Sequence, residues 1–300
     1  MRNVALLIFS IITLSISAQP KQKKEQIMVD GIAREFIVYV PQLANISDKL
    51  PVIISLHGRL GTGEGMMNFA DFKPIADKEK FIIVCPSGID KSWNDGRETP
   101  AHKKGINDVK FIDQLITYIL NTYHGDDRRV YVTGMSNGGF MASRLACELS
   151  NRIAAIAVVG ASMDKNMDYH PVKSLPVMYI QGTKDPLVPY NGGTMKGAGG
   201  DIYSHTDVLK LWAVMGHCQD NLDYTNMPDN ANDGTSIKKE QYSNAATGVR
   251  VVGYTVIDGG HTWPGGTQYL PKFIVGTVSH NLNACEAIWA FFKDCRLDKN

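Results

Sequence analysis

The sequence predicts an α/β fold in which helices cover both faces of a mostly parallel central sheet. Its strand-like segments are continuous apolar runs, several of them ending at glycine, rather than alternations of polar and apolar residues. Such runs are typical of strands that are buried on both faces. Six segments have this character: PVIISLHG (51–58), FIIVCPSG (81–88), RVYVTG (129–134), IAAIAVVGA (153–161), PVMYIQGT (176–183) and VRVVGYTVIDGG (249–260).

Helix-forming segments alternate with these strands, as a parallel sheet requires. Residues 66–80 are compatible with one helix, and residues 106–123 place their apolar side chains on one stripe, which indicates an amphipathic helix. A closing helix is expected over residues 281–293. REFIVYV (34–40) alternates instead, so we expect a half-exposed strand there. In sheets of this kind, functional residues collect at the carboxyl ends of the strands.

The N-terminal segment 1–18 has the layout of a secretory signal peptide. Arg2 precedes an apolar stretch that is too short to span a membrane, and small residues follow up to Ala18. We therefore expect cleavage after Ala18 and a single domain over residues 19–300. The mature protein is expected to be secreted or periplasmic, without stable membrane insertion. The polar segment that starts at Lys21 is expected to be disordered.

The charge balance argues against a nucleic-acid partner, and the cysteine spacing argues against a zinc site. The chain has 31 basic and 30 acidic residues, a net charge of +1, which gives no electrostatic footprint for nucleic acid. No CxxC pair occurs, so no zinc motif is expected, and an odd number of cysteines leaves at least one thiol free. Cys285 can pair with Cys295 or with Cys218, and the connectivity stays open. The five cysteines are Cys85, Cys147, Cys218, Cys285 and Cys295.

Two further patterns resemble cofactor sites without fitting them. DNANDGTSIKKE (229–240) is close to a calcium loop, but Ala231 stands where a ligand is needed, so a polar loop is the better interpretation. The glycines of SLHGRLGTGEG (55–65) are wrongly spaced for a dinucleotide site, and no acidic residue ends the next strand. We therefore expect neither a metal nor an organic cofactor.

The segment GMSNG (134–138) has the G-x-S-x-G pattern of a nucleophile elbow. It lies where the predicted strand 129–134 meets a helix that starts at Asn137. A sharp strand-to-helix turn exposes the serine and needs small residues two positions to either side. We expect Gly134 and Gly138 to leave room for this turn, whereas Gly139 serves helix packing. Ser136 is therefore the candidate nucleophile.

A serine nucleophile needs a base, and the base needs an orienting acid. In the fold that carries a nucleophile elbow, the catalytic residues follow along the chain in the order serine, acid, histidine, and each lies after a strand. Asp185 follows the strand 176–183, and His261 follows the strand 249–260. Asp258 is an alternative acid, but it lies at the end of the strand that directly precedes the histidine. The acid is expected in an earlier loop, so we favour Asp185. His57 also ends a strand, but it precedes the serine.

The tetrahedral intermediate of acyl transfer needs two amide donors. One is the backbone N–H of Asn137, the residue after the nucleophile. The loop that follows the strand 51–58 is expected to provide the other, from either Arg59 or Leu60.

Several of these segments resemble those of the secreted polyhydroxybutyrate depolymerases and feruloyl or acetylxylan esterases, a family of α/β-hydrolases. The resemblance covers residues 29–292 and rests on GMSNGGFMA, QGTKDPLVPYNGG, GGHTWPGG, CPSG followed by SWNDG, and NDVKFIDQLI. It implies an α/β-hydrolase fold and ester hydrolysis without a cofactor, with Ser136, Asp185 and His261 as the catalytic residues. It also implies that Trp93 and Trp263 line the acyl pocket.

Feruloyl or acetyl esters of plant polysaccharides are the substrates that we expect first. Hydroxybutyrate oligomers are the alternative, although the separate substrate-binding module of polymer depolymerases is not found in this sequence. A non-catalytic carbohydrate-binding protein on the same fold is the rival from another class, and an intact set of serine, acid and histidine argues against it.

Overall fold

A ten-stranded sheet forms the centre of the protein. The computed structural model describes residues 21–42, 49–195, 200–219 and 223–298. The strands follow the order β1-β2-β4-β3-β5-β6-β7-β12-β11-β10, and β8 pairs with β9 separately. The strands are β1 (Lys21–Val29), β2 (Ile32–Val40), β3 (Leu50–Leu56), β4 (Ile82–Pro86), β5 (Gly125–Met135), β6 (Ala155–Val159), β7 (Val177–Gly182), β8 (Gly193–Thr194), β9 (Asp201–Ile202), β10 (Asp223–Asn226), β11 (Ser236–Asn244) and β12 (Val249–Ile257).

The six central strands, β4-β3-β5-β6-β7-β12, are all parallel, as the continuous apolar runs predict. The outer pairs are antiparallel, with β1 and β2 at one edge and β11 and β10 at the other. Parallel strands point their carboxyl ends to one edge of the sheet. The loops after β3, β5, β7 and β12 therefore meet there.

Helices cover both faces of this sheet, and each face has its own hydrophobic core. One core includes the buried sides of α4, α5 and α6, and the other those of α1, α2 and α8. The helices are α1 (Gly63–Phe69), α2 (Lys73–Glu79), α3 (Pro100–Lys103), α4 (Asp108–Thr122), α5 (Asn137–Glu148), α6 (His205–Met215), α7 (Lys272–Val275) and α8 (Ala284–Phe292), with one 3₁₀ turn at Ile89–Lys91.

Three expectations about local structure were wrong. The strand over 34–40 is not half-exposed, because Phe36 and Val38 pack into one core and Ile37 and Tyr39 into the other. The polar segment from Lys21 is not disordered: it forms β1, which pairs with β2 along its whole length. The charged side chains of Lys23, Lys24 and Glu25 suit an edge strand, because one side of such a strand is open to water. The helix predicted over 66–80 is two helices, α1 and α2. Pro74 lies in the first turn of α2, where its missing N–H is tolerated. In the interior of one long helix it would remove a backbone hydrogen bond and clash with the preceding turn, so α1 ends before it.

All five cysteines lie in the described residues, and each is a free thiol; Cys218 alone is not buried. No helix within the described ranges is long and apolar enough to cross a membrane. The predicted signal peptide, residues 1–18, lies outside the described residues, so that assignment stays a prediction.

Candidate active site

Ser136 occupies the sharp turn between β5 and α5. Its backbone has φ 54° and ψ −124°, a conformation that side-chain-bearing residues rarely adopt. Such a conformation costs about 1–3 kcal/mol and persists only where its surroundings hold it. The Ser136 N–H donates to the carbonyl oxygen of Val159 at 2.9 Å, which ties the turn to β6. The serine is half-buried, whereas both of its neighbours are buried.

The glycines around Ser136 have the roles that the sequence predicted. A Cβ atom on Gly134 would lie 2.4 Å from the carbonyl oxygen of Gly138, and one on Gly138 would lie 2.3 Å from that of Leu56. Both contacts are far too short, so the turn can form only with glycine at these positions. A Cβ on Gly139 would instead lie 2.7 Å from the Cβ of Ala161, which places this glycine at the contact between α5 and the segment after β6.

Asp185 and His261 form a buried pair at the carboxyl ends of β7 and β12. The histidine Nδ1 lies 2.7 Å from Asp185 Oδ2, and the two residues are only 3% and 7% exposed. An ionised carboxylate only accepts hydrogen bonds, so Nδ1 carries the proton, and Nε2 is left as an acceptor. The other oxygen, Asp185 Oδ1, accepts the N–H groups of Leu187 and Val188, both at 2.8 Å.

The alternative acid, Asp258, has a different partner. Its side chain is exposed and forms an ion pair with Lys184 at 2.8 Å, while its N–H donates to Thr183 Oγ1. The geometry therefore favours Asp185 over Asp258 as the partner of His261.

Ser136 and His261 line the same cavity, which has a volume of about 660 Å³. They form no direct hydrogen bond within the described structure. Hydrogen bonds at active sites are often long before substrate binds, so this separation is compatible with proton transfer.

Two backbone amides point to a candidate oxyanion site. Asn137 is the first residue of α5, where N–H groups have no partner within the helix. Of the two residues proposed for the other donor, Leu60 is engaged, because its N–H donates to the carbonyl oxygen of Lys91 at 2.8 Å. No acceptor for the N–H of Arg59 occurs among the residues that the structure describes, so Arg59 is the better candidate.

The two tryptophans do not line the cavity, and this expectation was wrong. Trp93 and Trp263 are 0% and 1% exposed. The Trp93 ring lies behind the cavity wall and donates from its indole Nε1 to the carbonyl oxygen of His57 at 2.9 Å. Trp263 packs into the core against the ring of Phe69. Both are too deeply buried for contact with a ligand.

Phe69 and Tyr269 form the aromatic part of the cavity wall instead. Their rings meet edge to face, with centroids 5.3 Å apart. The Tyr269 hydroxyl also donates to the carbonyl oxygen of His261 at 3.0 Å, which fixes the wall to the candidate base. Aliphatic side chains complete the apolar lining: Leu60, Met66, Met135, Leu187, Val188 and Leu270. Arg59, Glu98 and Lys103 are exposed and form a charged part of the rim.

His57 also lines the cavity, which the sequence did not indicate. It is 2% exposed, and burial lowers its pKa to about 4, so the ring is neutral near pH 7. Its position before the serine in the chain excluded it as the base, but not as a site residue.

Comparison with known proteins finds no matching family model. A protein of Nocardia uniformis subsp. tsuyamanensis that is named as an esterase is 28% identical over 273 residues, which cover 87% of this chain and 79% of that protein. Feruloyl esterase B of Piromyces equi is 27% identical over 239 residues, which cover 76% of this chain. The match spans only 42% of the length of that enzyme.

The fold comparison agrees with these relatives. The acetyl xylan esterase from Aspergillus awamori superposes with a TM-score of 0.57 at 16% identity, over 80% of this chain and 94% of that one. This likeness confirms the predicted α/β-hydrolase fold. The relatives confirm the predicted enzyme class, a serine carboxylesterase. The chain is thus a homologue of feruloyl and acetylxylan esterases, built on the α/β-hydrolase fold.

Proposed function

We propose that this protein is a secreted esterase that removes feruloyl or acetyl groups from plant polysaccharides. In this proposal Ser136 is the nucleophile, His261 the base and Asp185 the acid that orients the base. The observation that carries it is the buried His261–Asp185 pair, whose histidine shares a cavity with the strained Ser136. The signal-like segment 1–18 supports the secretion of the protein.

The reaction starts with transfer of the Ser136 hydroxyl proton to His261 Nε2 as the serine oxygen attacks the ester carbonyl. The negative charge that forms on the carbonyl oxygen is stabilised by the N–H groups of Asn137 and Arg59. His261 then protonates the leaving alcohol and later activates a water molecule that releases the acid. Asp185 keeps the Nδ1 proton of His261 in place throughout, so Nε2 stays available as the acceptor.

The size and lining of the cavity favour an aromatic acyl group. A volume of about 660 Å³ lies within the range of sites for small molecules. The edge-to-face pair of Phe69 and Tyr269 offers a ring-sized contact for a feruloyl group. The charged rim at Arg59, Glu98 and Lys103 suits a hydroxyl-rich polysaccharide on the leaving-group side. The names of the relatives support the same two ester classes.

An active-site label and a substrate panel test the proposal together. We expect a fluorophosphonate to label wild-type protein at Ser136, and the Ser136→Ala variant to lose both labelling and hydrolysis of p-nitrophenyl acetate. Ser174→Ala is the matched control, because Ser174 is exposed and its hydroxyl donates only to the carbonyl oxygen of Met215. Full hydrolysis by Ser136→Ala would refute the mechanism.

Among methyl ferulate, acetylated xylan and hydroxybutyrate oligomers, we expect turnover of the first two. Preferential turnover of the oligomers would reassign the substrate to hydroxyalkanoates while leaving the serine mechanism intact.

A further inference from the structure

A buried chain of hydrogen bonds connects the two candidate oxyanion residues. The Asn137 side chain accepts the N–H of Trp93 at 2.8 Å and donates to the carbonyl oxygen of Trp93 at 3.1 Å. It also donates to Asp95 Oδ2 at 2.7 Å. The indole of Trp93 continues the chain to the carbonyl oxygen of His57. All four residues are at most 4% exposed, so water does not compete for these bonds.

The partners of the His57 ring define its tautomer. Its Nε2 accepts the backbone N–H of Gly88 at 2.9 Å. A backbone N–H can only donate, so Nε2 carries no proton. Nδ1 therefore holds the ring proton and donates to the carbonyl oxygen of Gly58 at 2.7 Å. The same carbonyl oxygen accepts the N–H of Gly61 at 3.0 Å.

The bond from His57 determines the direction of the next amide. A peptide unit is planar, and in its trans form the carbonyl and N–H point in opposite directions. The carbonyl of Gly58 and the N–H of Arg59 belong to one such unit, so fixing the first fixes the second. Gly58 also packs against the nucleophile, since a Cβ on it would lie 3.4 Å from the Cβ of Ser136. The Arg59 amide is thereby held beside Ser136.

We propose that His57 is a positioning residue of the oxyanion site: its Nδ1–H orients the Gly58–Arg59 peptide toward the substrate oxygen. Trp93 and the Asn137 side chain link this amide to the second donor, the N–H of Asn137. The inference rests on the proposed function and adds to it a rigid connection between the two donors. It also gives the buried Trp93 a role that does not require contact with substrate.

Two substitutions separate the two hydrogen bonds of the His57 ring. In the His57→Asn variant, the side-chain amide nitrogen takes the place of Nδ1 and still donates to the carbonyl oxygen of Gly58. His57→Gln places its amide oxygen near Nε2, which keeps the acceptor for Gly88 and removes the donor to Gly58. A displaced oxyanion donor lowers kcat by about 10²-fold. We expect a loss of that size in the Gln variant, at nearly constant KM, and a loss about tenfold smaller in the Asn variant.

The readout is the ratio of kcat for p-nitrophenyl acetate to kcat for its thiono analogue. A carbonyl sulfur accepts hydrogen bonds poorly, so wild-type protein favours the oxygen ester, and this preference falls when a donor moves. We expect a reduced ratio in His57→Gln and in Trp93→Phe, which keeps the ring packing but removes the indole N–H. Trp93→Phe keeps the test decisive if His57→Gln does not fold.

A wild-type ratio in either variant would overturn the inference, as would equal losses in folded Asn and Gln variants of His57. Fluorophosphonate labelling of wild-type Ser136 keeps the two proposals distinguishable. Labelled wild-type protein that hydrolyses esters, together with unchanged ratios in the variants, would overturn this inference alone. Wild-type protein that neither labels nor hydrolyses esters would overturn the proposed function and this inference with it.

Discussion

Asp185→Asn is the substitution that tests the proposed acid most directly. Oδ2 of Asp185 accepts from His261 Nδ1 at 2.7 Å and from Gln181 Nε2 at 3.2 Å. Oδ1 accepts the N–H groups of Leu187 and Val188. Asparagine has one oxygen, and the two backbone donors retain it at the Oδ1 position. Its NH₂ group then faces the other two donors.

The NH₂ group can be accommodated only if His261 presents an unprotonated Nδ1. The ring proton then moves to Nε2, which can no longer accept the proton of Ser136. This wrong tautomer lowers kcat by about 10⁴-fold, which corresponds to about 5 kcal/mol of transition-state stabilisation. The NH₂ group of the asparagine would also face the NH₂ group of Gln181, so the hydrogen bond from Gln181 is lost. We therefore expect the free energy of unfolding to fall by about 1–3 kcal/mol.

Steady-state hydrolysis of p-nitrophenyl acetate measures the first quantity, and urea unfolding measures the second. Asp258→Asn is the matched control, because it makes the same chemical change in an exposed side chain that contacts Lys184. We expect the control to keep kcat within twofold and stability within about 0.5 kcal/mol. A large loss of kcat in Asp258→Asn, with little change in Asp185→Asn, would refute the assignment of the acid.

Two further predictions concern the cavity wall and a buried histidine. Phe69→Leu keeps an apolar side chain but removes the ring beside Tyr269. We expect kcat/KM for methyl ferulate to fall about three- to tenfold and kcat/KM for acetyl esters to stay within twofold. Equal losses for the two substrates would contradict the assignment of Phe69 to the cavity wall. Burial lowers the pKa of His205 from 6.5 to about 3, and neither ring nitrogen has a hydrogen-bond partner within the described residues. Protonation of the unfolded chain therefore destabilises the protein as the pH falls below 6.5. His205→Phe should reduce the pH slope of the unfolding free energy between pH 6 and 4 by about 1.4 kcal/mol per pH unit; an unchanged slope would contradict it.

The sheet and the positions of the candidate catalytic residues were predictable because their signals are local. A strand buried on both faces has few polar residues, and an elbow needs glycine on both sides of its serine. Parallel order then brings the loops after β5, β7 and β12 to one edge, so Ser136, Asp185 and His261 come together without further information. The parallel order also favours Asp185 over Asp258, since the loop after β7 lies beside the loop that holds the histidine.

Other features depend on contacts that sequence order does not reveal. The segment from Lys21 is polar enough for a disordered tail, yet its backbone completes the edge of the sheet beside β2. Glu25 there accepts the hydroxyl groups of Tyr118 and Tyr123, which lie at the end of α4 and just beyond it. The expected helix over 66–80 fails for a local reason, because Pro74 begins a new helix instead of continuing the first.

The tryptophans show why the cavity wall is harder to predict than the reacting groups. Proximity in sequence to a catalytic segment places a residue near the site, but not on its surface. Trp263 follows the candidate base by two positions and still turns into the core, whereas Phe69 and Tyr269, from separate segments, meet at the cavity. A large ring directly behind a catalytic loop is more useful as a rigid support, and Trp93 takes that place through its bond to His57. Residues that bind substrate must remain accessible, so the side chains that define specificity are those that the fold leaves partly uncovered.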